Sequence, residues 1–242
     1  MDIYWTGQIR CKDVRWILKD EEYLLDDALE KLRKDVWEDI QRNHPDTYDG
    51  HLLTLSGFEN TKNSMTLRMN TIRFSRILTL EKVGKRLKPY GTIGMQLIVL
   101  TPDKQHILIG QRSKNSMYCP LFFSVPGGML EVTDASDSFE DACLREFHEE
   151  VKLDIKEGLD LVGITSEIHG SVGVVFLILG TAKELSDLSS AVQGNEEWED
   201  RRLEWHSIQQ MERMTRENSL EGVVFAKDDR KKKERGGPSV LW

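Results

Sequence analysis

The run Arg145-Glu146-Phe147-His148-Glu149-Glu150 sets three carboxylates and a guanidinium close together. Residues three and four apart share one face of a helix, so on a helix Glu146, Glu149 and Glu150 crowd together with Arg145 alongside. Like charges at that spacing repel unless something neutralises them. A hard divalent cation does so, and Mg2+ held by carboxylates and substrate phosphates suits such a set, with Mn2+ as a substitute. Pro126-Gly127-Gly128 lies upstream, and its glycines let backbone approach the acids closely. A Glu-rich helix face is ordinarily just a solvated one. Here, however, the acids are spaced behind a glycine loop and a helix start. Asp137 or Ser138 suits the cap, with Glu140 or Asp141 three residues on. Phe139, Ala142, Cys143 and Phe147 form an apolar stripe that packs the helix and turns the acids outward.

These residues resemble the Nudix box, Gly-x5-Glu-x7-Arg-Glu-U-x-Glu-Glu-x-Gly-U, where U is bulky and apolar. Arg145-Glu146-Phe147-x-Glu149-Glu150 matches the second half fully, and Gly127-Gly128 matches the opening glycines. The chain departs from the pattern in having about three more residues between Gly128 and Arg145. Asp137 then stands in for the middle glutamate, and Lys152 replaces the late glycine. The resemblance implies a Nudix α/β/α sandwich built on a mixed sheet, and hydrolysis of a nucleoside diphosphate linked to another moiety. It implies Glu149 and Glu150 as metal ligands, with Glu146 as the third ligand or a helper in deprotonating water, and a carbonyl of Gly127 completing the set. It also implies that Arg145 pairs with a box glutamate and holds its rotamer.

The elements that position this cluster read as follows. Asp13 to Asn43 is rich in helix formers, and Asn43-His44-Pro45 stops that helix. Asp49-Gly50 is a turn before strand-like His51–Leu55, and Thr66 to Leu80 reads as one or two further strands. Residues 1–90 thus form an N-terminal α/β extension that covers the core, contacts a partner copy or helps bind substrate. Residues 91–226 form the Nudix portion. Within it, Thr92–Leu100 and His106–Gln111 read as a hairpin around a polar turn. After the box helix, Leu161–Thr165 and Val172–Leu179 are strands, Glu204-Trp205 marks a last one, and Ser207 to Asn218 reads as a helix. Residues 227–242 form a charged tail.

Composition limits the remaining possibilities. The 242 residues are 39% hydrophobic and 31% charged, with a net charge of −8. That balance suits a globular protein and disfavours general binding to nucleic-acid backbone or anionic membrane. Cys11, Cys119 and Cys143 are odd in number and lack metal-site spacing, which argues against a disulfide framework or a zinc site and for a reducing cytoplasm. The amino terminus lacks signal-peptide character, and no apolar run reaches membrane-spanning length.

Other groups have two readings each. Glu196, Glu197 or Glu199 supplies an outside-box acid for metal or substrate, with Glu167 as the alternative, or all are solvated loop acids. Arg112 and Lys114 meet phosphate or serve solubility. Tyr118, Phe122 and Phe123 stack on a base or pack in the core. His148 and His169 are surface residues or proton carriers. Gly128 lines the substrate side. The substrate is a small nucleotide, and the chain is a monomer or homodimer. Tyr48-Asp49-Gly50, the Thr66-Leu67-Arg68 strand, the long glycine loop and the Glu149–Leu153 ending resemble Nudix hydrolases of UDP-sugars. ADP-ribose or another nucleoside diphosphate derivative is the alternative. A binding or sensor module on the same fold is a further one.

Overall fold

The computed structural model describes residues 2–45, 47–114, 121–151, 155, 158–166, 173–182, 192–193 and 198–216. Its strands are β1 (Ile3–Arg10), β2 (Val14–Glu22), β3 (His51–Asn60), β4 (Met65–Arg73), β5 (Gly91–Leu100), β6 (His106–Arg112), β7 (Phe123–Ser124), β8 (Asp160–Ser166), β9 (Gly173–Thr181), β10 (Val192–Gln193) and β11 (Trp198–Ser207). Its helices are α1 (Asp27–Asn43), α2 (Phe74–Lys82), α3 (Phe139–Val151) and α4 (Ile208–Arg216). All the strands belong to one mixed sheet, whose main path runs β1-β8-β9-β5-β3-β4-β2. β6 joins β5, β7 and β11, and β11 joins β10.

Side-chain alternation puts helices on both faces. Leu53, Leu55, Leu67, Met69, Ile93, Met95, Leu97 and Leu108 project to one face, where Phe139, Cys143, Phe147 and Val151 of α3 complete the main core. On the opposite face, Leu52 and Ile72 pack with Ile77 and Leu80 of α2, and Leu29 of α1 joins them. Further along that face, Ile107 and Ile109 pack with Met211 of α4. The fold is therefore a mixed α/β sandwich, with α3 on one face of the sheet and α1, α2 and α4 on the other. Among the described residues, no helix is long and apolar enough to cross a membrane.

The first 90 residues differ from the sequence reading in two places. Val14–Glu22 is a strand, not the start of a helix, and α1 begins only after Asp26, whose carboxylate accepts from the Leu29 amide at 2.9 Å. β2 pairs in parallel with β4 from Val14↔Met65 to Leu18↔Met69, so its backbone hydrogen bonds come from a distant segment that local helix propensity does not register. Conversely, the second half of Thr66 to Leu80 is helical: strand β4 ends at Arg73 and α2 follows at once. Asp49 opens α2 by accepting from the Ser75 amide and hydroxyl, both at 2.8 Å. The expected Thr92–Gln111 hairpin is held at its turn, by Leu100↔Ile107 and by the Thr101 amide donating to the His106 carbonyl at 3.1 Å. Beyond that pair the two strands part: β5 runs parallel to β9 from Thr92↔Gly173 to Leu100↔Thr181, and β6 follows β11.

Candidate active site

The glycine loop fills the gap where β5 parts from its neighbours. Met95 donates its amide to the Gly128 carbonyl at 2.7 Å, Leu97 to Pro126 at 2.7 Å, and Leu130 donates back to Ile93 at 2.9 Å. On the other side, Leu53 of β3 donates to the Leu130 carbonyl at 2.9 Å, and Leu52 bridges to Glu131. Residues 126–131 thus lie as a short strand between β5 and β3, which otherwise pair only at Thr54↔Thr92 and Leu55↔Gly91. This insertion explains the two glycines. A Cβ on Gly127 would collide with the Met95 carbonyl, and one on Gly128 with the carboxylate of Glu146.

α3 starts where Ser138 accepts from the Asp141 amide at 3.1 Å, so Ser138 is the cap of the two proposed from sequence. Trp16 of β2 secures that end, donating its indole N–H to the Asp137 carbonyl at 3.0 Å and packing edge-on against Phe139. Phe139, Ala142, Cys143 and Phe147 are buried, as the apolar stripe requires. Cys143 lies 3.4 Å from the Met95 sulfur, and burial pushes its thiol well above the ordinary range, so it stays a neutral packing group.

Arg145 is the centre of the charged cluster. One guanidinium nitrogen donates to both oxygens of Glu149 at 2.9 Å. The other donates to Glu146 at 2.9 Å and to Asp134. Burial pulls its pKa down, but the Glu149 bond and the charges of Asp134, Glu146 and Glu149 raise it further, so it remains a fixed cation. The acids are not all turned outward, because Glu146 and Glu150 are only 9% and 8% exposed. Burial raises the Glu146 pKa despite the opposing pull of Arg145. Glu149 stays exposed. Among the described residues, no three acidic, histidine or cysteine side chains converge as a ready metal cage, and Arg145 pairs with both oxygens of Glu149 and one of Glu146.

Asp134 is the site residue that the sequence reading missed. It is buried, accepts from the Glu131 amide at 2.7 Å and binds Arg145. Counting forward from Gly128, Asp134 occupies the Gly-x5-Glu position. Counting back from Arg145 points to Asp137, which is exposed and bonds Trp16 only through its carbonyl. The extra residues therefore lie between Asp134 and Arg145, and the glycine loop itself has ordinary length.

The outlying candidates fare differently. Arg112 ends β6, and Phe123 packs edge-on against His206. Phe122 is 40% exposed, and His148 is exposed on α3. Glu199 belongs to β11. Glu167, Glu196, Glu197, His169, Tyr118, Cys119, Lys152 and the tail 227–242 lie outside the described residues.

The NUDIX domain model matches residues 94–226, more than half of the chain. None of the curated proteins matches it. Among solved structures, the chain is similar to the MutT protein of Methanosarcina mazei Go1, with 20% identity over 55% of this chain and 98% of that one and a TM-score of 0.40. It is also similar to the NUDIX domain of Shewanella oneidensis NrtR complexed with ADP ribose, with 18% identity, coverage of 52% and 78%, and a TM-score of 0.40. A NUDIX hydrolase from Nitrosomonas europaea gives 16% identity, coverage of 55% and 81%, and a TM-score of 0.39. With Arg145, Glu146, Glu149 and Glu150 of the box on α3 and the glycine loop along the adjoining strand, the chain belongs to the NUDIX domain family and is a pyrophosphohydrolase of the Nudix type.

Proposed function

We propose that the chain hydrolyses the pyrophosphate linkage of a nucleotide sugar, with a UDP-sugar favoured, to a nucleoside monophosphate and a sugar phosphate. The observation that carries this reading is the Arg145 cluster, which locks Glu149, Glu146 and Asp134 around a glycine loop built into the sheet. Glu146, Glu149 and Glu150, with a carbonyl of Gly127, are the groups that would hold Mg2+. The donors fit a hard cation: all are oxygens, and burial makes the charged form of Glu146 costly even beside Arg145, so a further cation would favour it. When bound, the metal neutralises diphosphate charge and lowers the pKa of a water.

The chain's own groups do the rest. Arg145 keeps Glu149 in one rotamer and its charge partly compensated. Glu146, as third ligand or as helper, would ease proton loss from the attacking water. Gly128 keeps the substrate side of the loop free of a side chain that would displace Glu146. Arg112 and Glu197 remain proposed substrate contacts. The preference for a UDP-sugar rests on the resemblance carried by Tyr48-Asp49-Gly50 and Thr66-Leu67-Arg68. ADP-ribose is the second reading, since the similar NrtR domain was solved with that ligand.

Product formation with Mg2+ from UDP-glucose, UDP-galactose, ADP-ribose, ADP-glucose and diadenosine polyphosphates tests the proposal. UMP plus sugar phosphate is the expected result, with activity reduced at least about a hundredfold in Glu149→Gln and in Glu150→Gln. AMP plus ribose 5-phosphate would select the second reading. A folded chain that turns over none of them overturns the proposal in favour of a binding module.

A further inference from the structure

We propose that Tyr48, contributed by the segment ahead of β3, is a stacking platform for the nucleobase of the substrate. This rests on the nucleotide-hydrolase reading above. Tyr48 is 63% exposed, yet it is held at both ends. Its hydroxyl donates to the carboxylate of Glu131. Its ring lies over the backbone of Gly50, where a Cβ would come within 2.8 Å of the ring edge. An exposed aromatic side chain is normally free to change rotamer. One that is already immobilised loses little freedom when a ligand covers it, which favours binding.

The position of this ring gives it a role. Glu131 adjoins the glycine loop and bridges to Leu52 of β3. The Glu131 amide donates to Asp134 at 2.7 Å, and Asp134 holds Arg145. A continuous chain of hydrogen bonds therefore ties the tyrosine to the carboxylate cluster that would receive the diphosphate. Every base has a π-face, so such a platform accepts uracil and adenine alike and leaves the choice between them to other groups.

Isothermal titration calorimetry on the full chain with Mg2+ present, using UMP, AMP and ribose 5-phosphate as probes, tests the assignment. Tyr48→Leu should weaken UMP and AMP about tenfold or more and leave ribose 5-phosphate, which has no base, unchanged. Tyr48→Phe keeps the ring and should retain most of the nucleotide affinity. Equal weakening of all three probes would mean that Tyr48 only supports the loop, and unchanged nucleotide affinity would mean that it does not touch the base. Either result overturns the assignment while product formation from the substrate panel stands. A wild-type chain that binds UMP and AMP no more tightly than ribose 5-phosphate also overturns it. Melting temperatures of both variants identify any loss of fold.

Discussion

Arg145 holds three carboxylates with its two terminal guanidinium nitrogens, Asp134 before the helix and Glu146 and Glu149 within it. Asp134→Asn keeps the shape of the side chain but removes the charge that draws Arg145 away from the helix. Arg145 should then shift, and with it the rotamer of Glu149. The expected outcome is a fall in kcat of about ten- to a hundredfold with little change in KM, read from steady-state kinetics. At the same scale, the Tyr48 phenol is pushed up to about 12, first by its bond to Glu131 and then by burial. A raised pKa means that the folded chain retains a proton the unfolded chain has lost. The stabilisation is complete below the ordinary tyrosine value near 10 and disappears as pH rises towards 12. Melting curves from pH 8 to 12 should therefore show the wild type losing its advantage over Tyr48→Phe within that window.

Among the elements, the glycine loop matters most, because it serves as a strand. Its two glycines face different obstacles, which separates their variants. Gly127→Ala meets the backbone carbonyl of Met95, which cannot move without disturbing β5. Overpacking of this kind costs about 1–3 kcal/mol, and thermal unfolding should show a lowered melting temperature. Gly128→Ala meets only the movable end of the Glu146 side chain. That variant should keep nearly the wild-type melting temperature and lose most of its activity, because the displaced group is the proposed third ligand or helper in deprotonating water. Equal effects of the two variants on stability would refute the strand-like placement of the loop.

At the scale of the whole molecule, the first 90 residues and the box share one core. Cys11 and Val14 sit in the same buried cluster as Phe139, Cys143 and Phe147. Trp16 holds the start of α3, and β3 forms one wall of the glycine loop. Arg76 further locks the N-terminal elements to each other, binding Glu22 at 2.5 Å and Glu30 at 2.6 Å from inside the α1–α2 face. A chain beginning at residue 88 would uncover the side of the glycine loop that β3 walls and the edge of β8 that β1 pairs, and would lose the core side chains of Leu53, Leu55, Leu67 and Met69. It should be insoluble or lack a cooperative melting transition when compared with the full chain by circular dichroism. A truncated chain with wild-type melting behaviour would show instead that the Nudix portion folds alone.

How much of this was legible in the sequence depended on the range of the forces involved. The α3 stripe, its Ser138 cap and the spacing of Arg145, Glu146, Glu149 and Glu150 are local properties, since a helix satisfies its own backbone and fixes which residues share a face. So are the polar turn after β5 and the glycines at 127 and 128. The strand at Val14–Glu22 was not legible, because its hydrogen-bonding partners in β4, from Met65 to Met69, lie far along the chain, nor was the helix that replaces a strand after Arg73. Asp134 could have been found by counting forward from Gly128, but only its bond to Arg145 distinguishes it from Asp137. The sequence by itself determined the family, the chemistry of the donor atoms and the helix that carries them. Tertiary structure alone decided that Glu146 and Glu150 are buried, that β3 walls the glycine loop and that Tyr48 stands beside it. Burial and strand pairing join segments distant in sequence, and no local pattern encodes which distant segment arrives.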